Sequence, residues 1–135
     1  MIFVDTNVLI DVSSNDPAWA DWSQEQLDLA ARNEDLAINE IVYAELSVGY
    51  TTPDQVDRLL ISMNIAVDPT PKRALFLAGK AFQHYRRAGG TRTGVLADFF
   101  IGAHAVIADA ALITRDARRY RIYFPGIDLV TPIAN

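Results

Sequence analysis

Ile2-Phe3-Val4-Asp5 is an apolar, β-forming triplet that stops on a carboxylate, and its reading sets the fold. Similar runs recur at Leu36–Ile38, Ile65–Val67, Ala111–Ile113 and, more weakly, Asp128–Val130. Runs this short, bounded by polar and turn-forming residues, read as buried strands. Helical stretches with recognisable starts lie between them. Asp16-Pro17 precedes Ala18–Arg32, a helix starts near Asn39, Thr52-Pro53 has Gln55 in capping-box position, and Thr70-Pro71 opens a helix that ends at Gly89-Gly90. The segment Val95 to Ile113 reads as a buried helix followed by a strand, because Asp98, His104 and Asp109 make it a poor membrane span. Short apolar strands alternating with helices require crossover connections. The fold class expected is therefore α/β, a three-layer α/β/α sandwich with a mostly parallel sheet of four to five strands.

The 135 residues are half hydrophobic and 21% charged, with seven Gly and six Pro, which excludes disorder and predicts one globular domain over 1–135. With no Cys there is no disulfide, thiolate nucleophile, iron–sulfur cluster or Cys-based zinc site, and two His are too few for a His-rich metal site. Any metal must be held by oxygen. Asp5 and Asp11 interrupt the first dozen residues, so no secretory leader is legible there and a cytoplasmic location without membrane attachment is expected. The formal net charge of −5 conceals an asymmetry: residues 1–71 carry 13 acidic and 2 basic side chains, and residues 72–135 carry 4 acidic and 10 basic ones. The second half has the charge to face a polyanion.

Four acids occupy positions that call for a partner. In open parallel sheets ligands bind beyond the carboxyl ends of the strands, where strand order reverses, and Asp5 and the run Thr114-Arg115-Asp116 both follow strands there. Glu45 has Ile41, Val42, Val48 and Gly49 three and four residues away, and Asp98 has Gly94, Val95, Ile101 and Gly102, so both are expected on inward faces. A carboxylate withdrawn from water costs several kcal/mol unless it is protonated, paired or metal-bound. Individually each has an ordinary explanation: a turn for Asp5 or Asp116, a helix start for Asp98, an Arg partner for Glu45. One oxygen-ligated Mg²⁺ or Mn²⁺ accounts for all four, and such an ion activates water and offsets phosphoryl charge in phosphodiester cleavage.

These residues match a known pattern. Ile2 to Asp11, Ile38 to Gly49, Ala97 to Ala105 and Leu112 to Asp116, in that order and spacing over nearly the whole chain, resemble a PIN domain and, within that group, a VapC-type toxin ribonuclease of a type II toxin–antitoxin pair. The resemblance implies a metal-dependent endoribonuclease that cuts RNA with Mg²⁺ or Mn²⁺ as cofactor. It assigns Asp5, Glu45, Asp98 and Asp116 as the catalytic and metal-binding acids, Asp5 and Asp98 as the direct ligands, and Thr6, Asn7 and Thr114 as supporting residues. It also implies a homodimer and a cognate VapB-like antitoxin that blocks the acidic pocket. Some members carry a further acid after the fourth; here Arg118 and Arg119 follow Asp116, which counts against a tightly held second ion.

Arg86, Arg87, Arg92 and Arg115 are the candidate phosphate contacts, with Arg118, Arg119 and Arg121 close to Asp116 in sequence. His104 reads as a core histidine and His84 as solvent-facing. Trp19 and Trp22 read as core before they read as a partner surface. Two other classes compete with this reading. A receiver-like Mg²⁺-binding signalling domain also gathers acids at strand ends, but it needs a late-strand Lys and no Lys follows Lys80. An inactive PIN scaffold is disfavoured by the intact quartet.

Overall fold

The computed structural model describes residues 1–133. Its five strands are β1 (Ile2–Val4), β2 (Leu36–Ile38), β3 (Ile65–Val67), β4 (Ala111–Ile113) and β5 (Leu129–Val130), in the spatial order β3-β2-β1-β4-β5 with every pairing parallel. The five apolar runs of the sequence are the five strands, and the sheet is wholly parallel.

Seven helices connect them: α1 (Thr6–Ser13), α2 (Ala20–Ala31), α3 (Glu40–Ser47), α4 (Pro53–Ser62), α5 (Lys72–Arg87), α6 (Leu96–Ile107) and α7 (Arg118–Tyr123). The chain steps outward from β1 through β2 to β3, then crosses to β4 on the other side of β1. Right-handed crossovers therefore place α1–α4 on one face and α5–α7 on the other. The contacts agree: α1 packs on α2 and α3, and α6 on α5 and α7. The reversal point lies between β1 and β4, where Phe3 pairs with Leu112 and Val4 with Ile113.

The central strands are covered on both sides. Phe3, Val4, Ile38, Leu112 and Ile113 are buried. The edge strand β3 departs from expectation: Ile65 is buried but Ala66 and Val67 are exposed, because β3 has a neighbour on one side only. Gln55 accepts hydrogen bonds from the backbone N–H groups of Thr51 and Thr52, the half of the capping box that the sequence signals for α4. Asp109 takes a left-handed φ of 51° between α6 and β4, a conformation that Asp tolerates better than most residues.

An aromatic cluster fixes α6 against α5 and α7. Phe99, fully buried, has its ring centroid 5.1 Å from that of Tyr123 and 5.8 Å from that of Tyr85. Gly102 on α6 is where α7 closes in: a Cβ there would lie 2.7 Å from Phe124 Cε2 and 3.0 Å from Tyr120 Cδ1. That close approach carries the α7 side chains back to the strand ends.

Two helices were not legible. The sequence reading assigns no helix to 6–13 or 118–123, yet α1 begins directly after β1 with Asp5 as its N-cap. Both are short, eight and six residues, and depend on packing more than on propensity.

Candidate active site

Asp5 is the best-defined group at the strand ends. Its backbone N–H bonds Ile113 O at 2.9 Å, which ties the end of β1 to β4. Its carboxylate accepts from Thr6 N–H at 2.8 Å on Oδ1, and from Thr114 Oγ1 at 2.8 Å and Tyr120 Oη at 2.9 Å on Oδ2. Its pKa is raised to about 6, chiefly by burial and also by the charge of Asp98, against the opposing pull of the three donors. Tyr120 has its phenol pKa pushed well up by burial and by the facing carboxylates, so it stays protonated and donates.

Thr114 and Asn7 extend this network. Thr114 Oγ1 accepts from Asp116 N–H at 3.1 Å, and Asn7 Oδ1 accepts from Arg115 N–H at 3.2 Å. Thr6 Oγ1 donates to Glu45 Oε1 at 2.6 Å, linking α1 to α3. Glu45 stands on α3 because Asn39, at the end of β2, caps that helix by accepting from the N–H groups of Ile41 and Val42.

Asp98 comes from the opposite layer, in the first turn of α6, held by its buried neighbour Phe99. Its pKa is raised, chiefly by burial; Arg119 lowers it, and the charges of Glu45 and Asp116 raise it. Asp98 thus senses Glu45 and Asp116, and Asp5 senses Asp98. Four acids from β1, α3, α6 and the loop after β4 share one electrostatic neighbourhood at the reversal point.

Their depth differs from the sequence expectation. Glu45 and Asp98 are half-buried and Asp116 is exposed, and only Asp5 is fully inward. The apolar offsets misled at Glu45, because Val48 and Gly49 lie beyond the end of α3 and Val48 is 89% exposed. Among the described residues no three His, Cys, Asp or Glu side chains converge closely enough to hold one ion. The cation facing Asp98 is instead Arg119, with Nη1 2.5 Å from Oδ2. The donor set still suits a hard divalent ion: every donor is a carboxylate or hydroxyl oxygen, and the crowding has a cost that a cation relieves.

Arg115 also departs from expectation. It makes a two-pronged pair with Asp11, Nε to Oδ2 at 2.6 Å and Nη2 to Oδ1 at 2.9 Å, and its guanidinium lies 5.2 Å from the Trp19 ring centroid. Asp11 is buried and also accepts from Ser23 Oγ. Arg115 is thereby paired with the scaffold, with its side chain 30% exposed. Arg86, Arg87 and Arg92 are exposed at the end of α5 and in the loop after it, with Arg86 over the Phe82 ring.

Sequence reasoning missed Tyr120, Asp11 and the inward role of Arg119. The spacing of Tyr120, Tyr123 and Phe124 was the available signal for an amphipathic α7. His104 is buried as expected, its Nε2 2.9 Å from Asp68 Oδ2 and its ring against Phe3, and His84 is exposed. Trp19 and Trp22 are half-buried and pack edge to face.

A wholly parallel α/β sheet with a cluster of acids near its reversal point defines the class. The PIN domain family profile matches residues 2–125, and the chain belongs to that family. In fold it is similar to VapBC2 from Rickettsia felis, solved bound to a DNA fragment from its promoter, with a TM-score of 0.74, 23% identity and coverage of 97% and 98% of the two chains. It is also similar to a toxin–antitoxin complex from Klebsiella pneumoniae (TM-score 0.71, 24% identity, both chains covered completely). A third likeness is to VapBC-1 from nontypeable Haemophilus influenzae (TM-score 0.72, 22% identity, 97% and 98% covered). No curated protein sequence matches the chain. Among the described residues no helix is long and apolar enough to cross a membrane.

Proposed function

We propose that this PIN domain is a divalent-metal-dependent endoribonuclease and the toxin of a type II toxin–antitoxin pair. The observation that carries the reading is Asp5, buried at the β1–β4 reversal point, oriented by three donors and electrostatically coupled to Asp98, which in turn faces Glu45 and Asp116. Such an array carries more negative charge than its ion pair, Arg119 with Asp98, offsets. Membership of a family whose members are generally nucleases, and likeness in fold to chains solved within toxin–antitoxin complexes, favour the same reading.

Asp5 and Asp98 would hold Mg²⁺ or Mn²⁺, with Glu45 and Asp116 completing the pocket. The ion, when bound, supplies Lewis acidity toward water and a phosphodiester. Thr114, Tyr120 and the Thr6 N–H fix the carboxylate plane of Asp5, and Thr6 Oγ1 does the same for Glu45. A cavity of about 350 Å³ beside Asp116, walled by Tyr85, Tyr123, Arg118 and Arg119, offers aromatic edges and guanidinium groups suited to a single-stranded RNA. Hydrolysis of a phosphodiester presented to these acids, with water adding at phosphorus and the 3′-oxygen leaving, would give 5′-phosphate and 3′-hydroxyl ends. The antitoxin partner, a homodimer and a cytoplasmic site of action are part of the same proposal.

Purified protein incubated with total RNA, with and without Mg²⁺ or Mn²⁺, tests it. Metal-dependent fragments with 5′-phosphate ends are expected from the wild type and none from Asp98→Asn. Equal cleavage by both, or none by the wild type, rejects the reading.

A further inference from the structure

α7 delivers two adjacent side chains to two different acids: Tyr120 to Asp5, and Arg119 to Asp98. The two contacts differ in kind. Tyr120 is sealed in the core, whereas the Arg119 and Asp98 side chains are 26% and 32% exposed and meet through a single prong.

The other arginine–aspartate pair of the region gives the contrast. Asp11 is 2% exposed, gripped on both oxygens by Arg115 and bonded again by Ser23. That pair is built to stay closed. The Arg119 pair is half-solvated, and Arg119 also lines the cavity beside Asp116, so its guanidinium has somewhere to turn. Its partner belongs to a cluster in which Glu45 and Asp116 already disfavour another negative charge.

We propose that Arg119 is the cluster's own exchangeable counter-ion: it neutralises Asp98 until a divalent cation takes that carboxylate, and the displaced guanidinium then swings into the adjoining cavity. This inference rests on the reading of Asp98 as a metal ligand. It makes metal loading a competition, because part of the cation's binding free energy goes into breaking the Arg119–Asp98 contact. A neutral side chain at 119 removes the competitor, and lysine retains a charged one.

Titration calorimetry with Mn²⁺ alone tests the competition, using wild type, R119Q and R119K without RNA. R119Q is expected to bind Mn²⁺ about fivefold or more tightly than wild type, with R119K closer to wild type than R119Q is. Equal or weaker binding by R119Q, when wild type does bind, overturns the role of Arg119 and leaves the metal site standing. Absence of Mn²⁺ binding in all three proteins overturns both. Should R119Q fail to fold, the Arg119 Nε–H resonance of the wild-type protein decides. It is expected to move on addition of Mg²⁺ and to stay in place in Asp98→Asn, and an unmoved wild-type resonance overturns the proposal.

Discussion

Thr114 Oγ1 donates to Asp5 Oδ2 at 2.8 Å, joining residues 109 positions apart at the ends of adjacent strands. The register Val4 to Ile113 sets this contact, so the sheet itself positions the buried acid. Thr114→Val removes a hydrogen bond to a charged group and is expected to cost about 2 kcal/mol of stability at neutral pH. It also takes away an interaction that lowers the Asp5 pKa, which should rise above about 6. Chemical unfolding and a carboxyl NMR titration check the two effects, and Thr114→Ser should reverse both.

The raised pKa of Asp5 dictates a pH dependence. Its folded value is about 6 against an ordinary 3.8, so the folded protein holds the proton more tightly than the unfolded chain. The associated stability is fully present below 3.8 and is lost as pH rises through about 6. Ionising Asp5 in metal-free protein costs about 3 kcal/mol by this reckoning. Unfolding measured in EDTA should therefore show wild type falling relative to Asp5→Asn across that window. Parallel profiles would mean that the carboxyl is not strained.

Asp98→Asn should raise the melting temperature of the metal-free protein by about 1–3 °C. Burial and the charges of Glu45 and Asp116 outweigh Arg119 there, so the neutral form is favoured in the fold. The pair is about one-third exposed and solvent screening keeps the gain small. A lower melting temperature would show that Arg119 stabilises the fold more than the acids strain it.

Arg115→Ala should destabilise the domain by about 3 kcal/mol, because it strands the Asp11 carboxylate in the core with Ser23 as its remaining partner. Asp11→Asn should cost less, since the arginine left behind is 30% exposed. Urea unfolding of the two variants ranks them.

The strands were legible because apolar triplets ending in polar residues admit few other readings, and their order made Asp5 and the Thr114–Asp116 run neighbours at one rim. The longer helices were legible from their starts. α7 was not: it is six residues long, and what holds it is Tyr120 and Phe124 packing over Gly102. The site's acids could be named from spacing, but their depth could not, since helical offsets at Glu45 reach past the helix end to exposed Val48. Pairings such as Asp11 with Arg115 and Asp98 with Arg119 depend on how layers meet in space, which local pattern does not encode.

Anomalous scattering from crystals grown with Mn²⁺ tests most directly whether the acids from both helical layers serve one cation. The expected result is a peak at the Asp5 and Asp98 carboxylates, with the Arg119 guanidinium withdrawn from Asp98. A peak elsewhere, or none at saturating Mn²⁺, would contradict it.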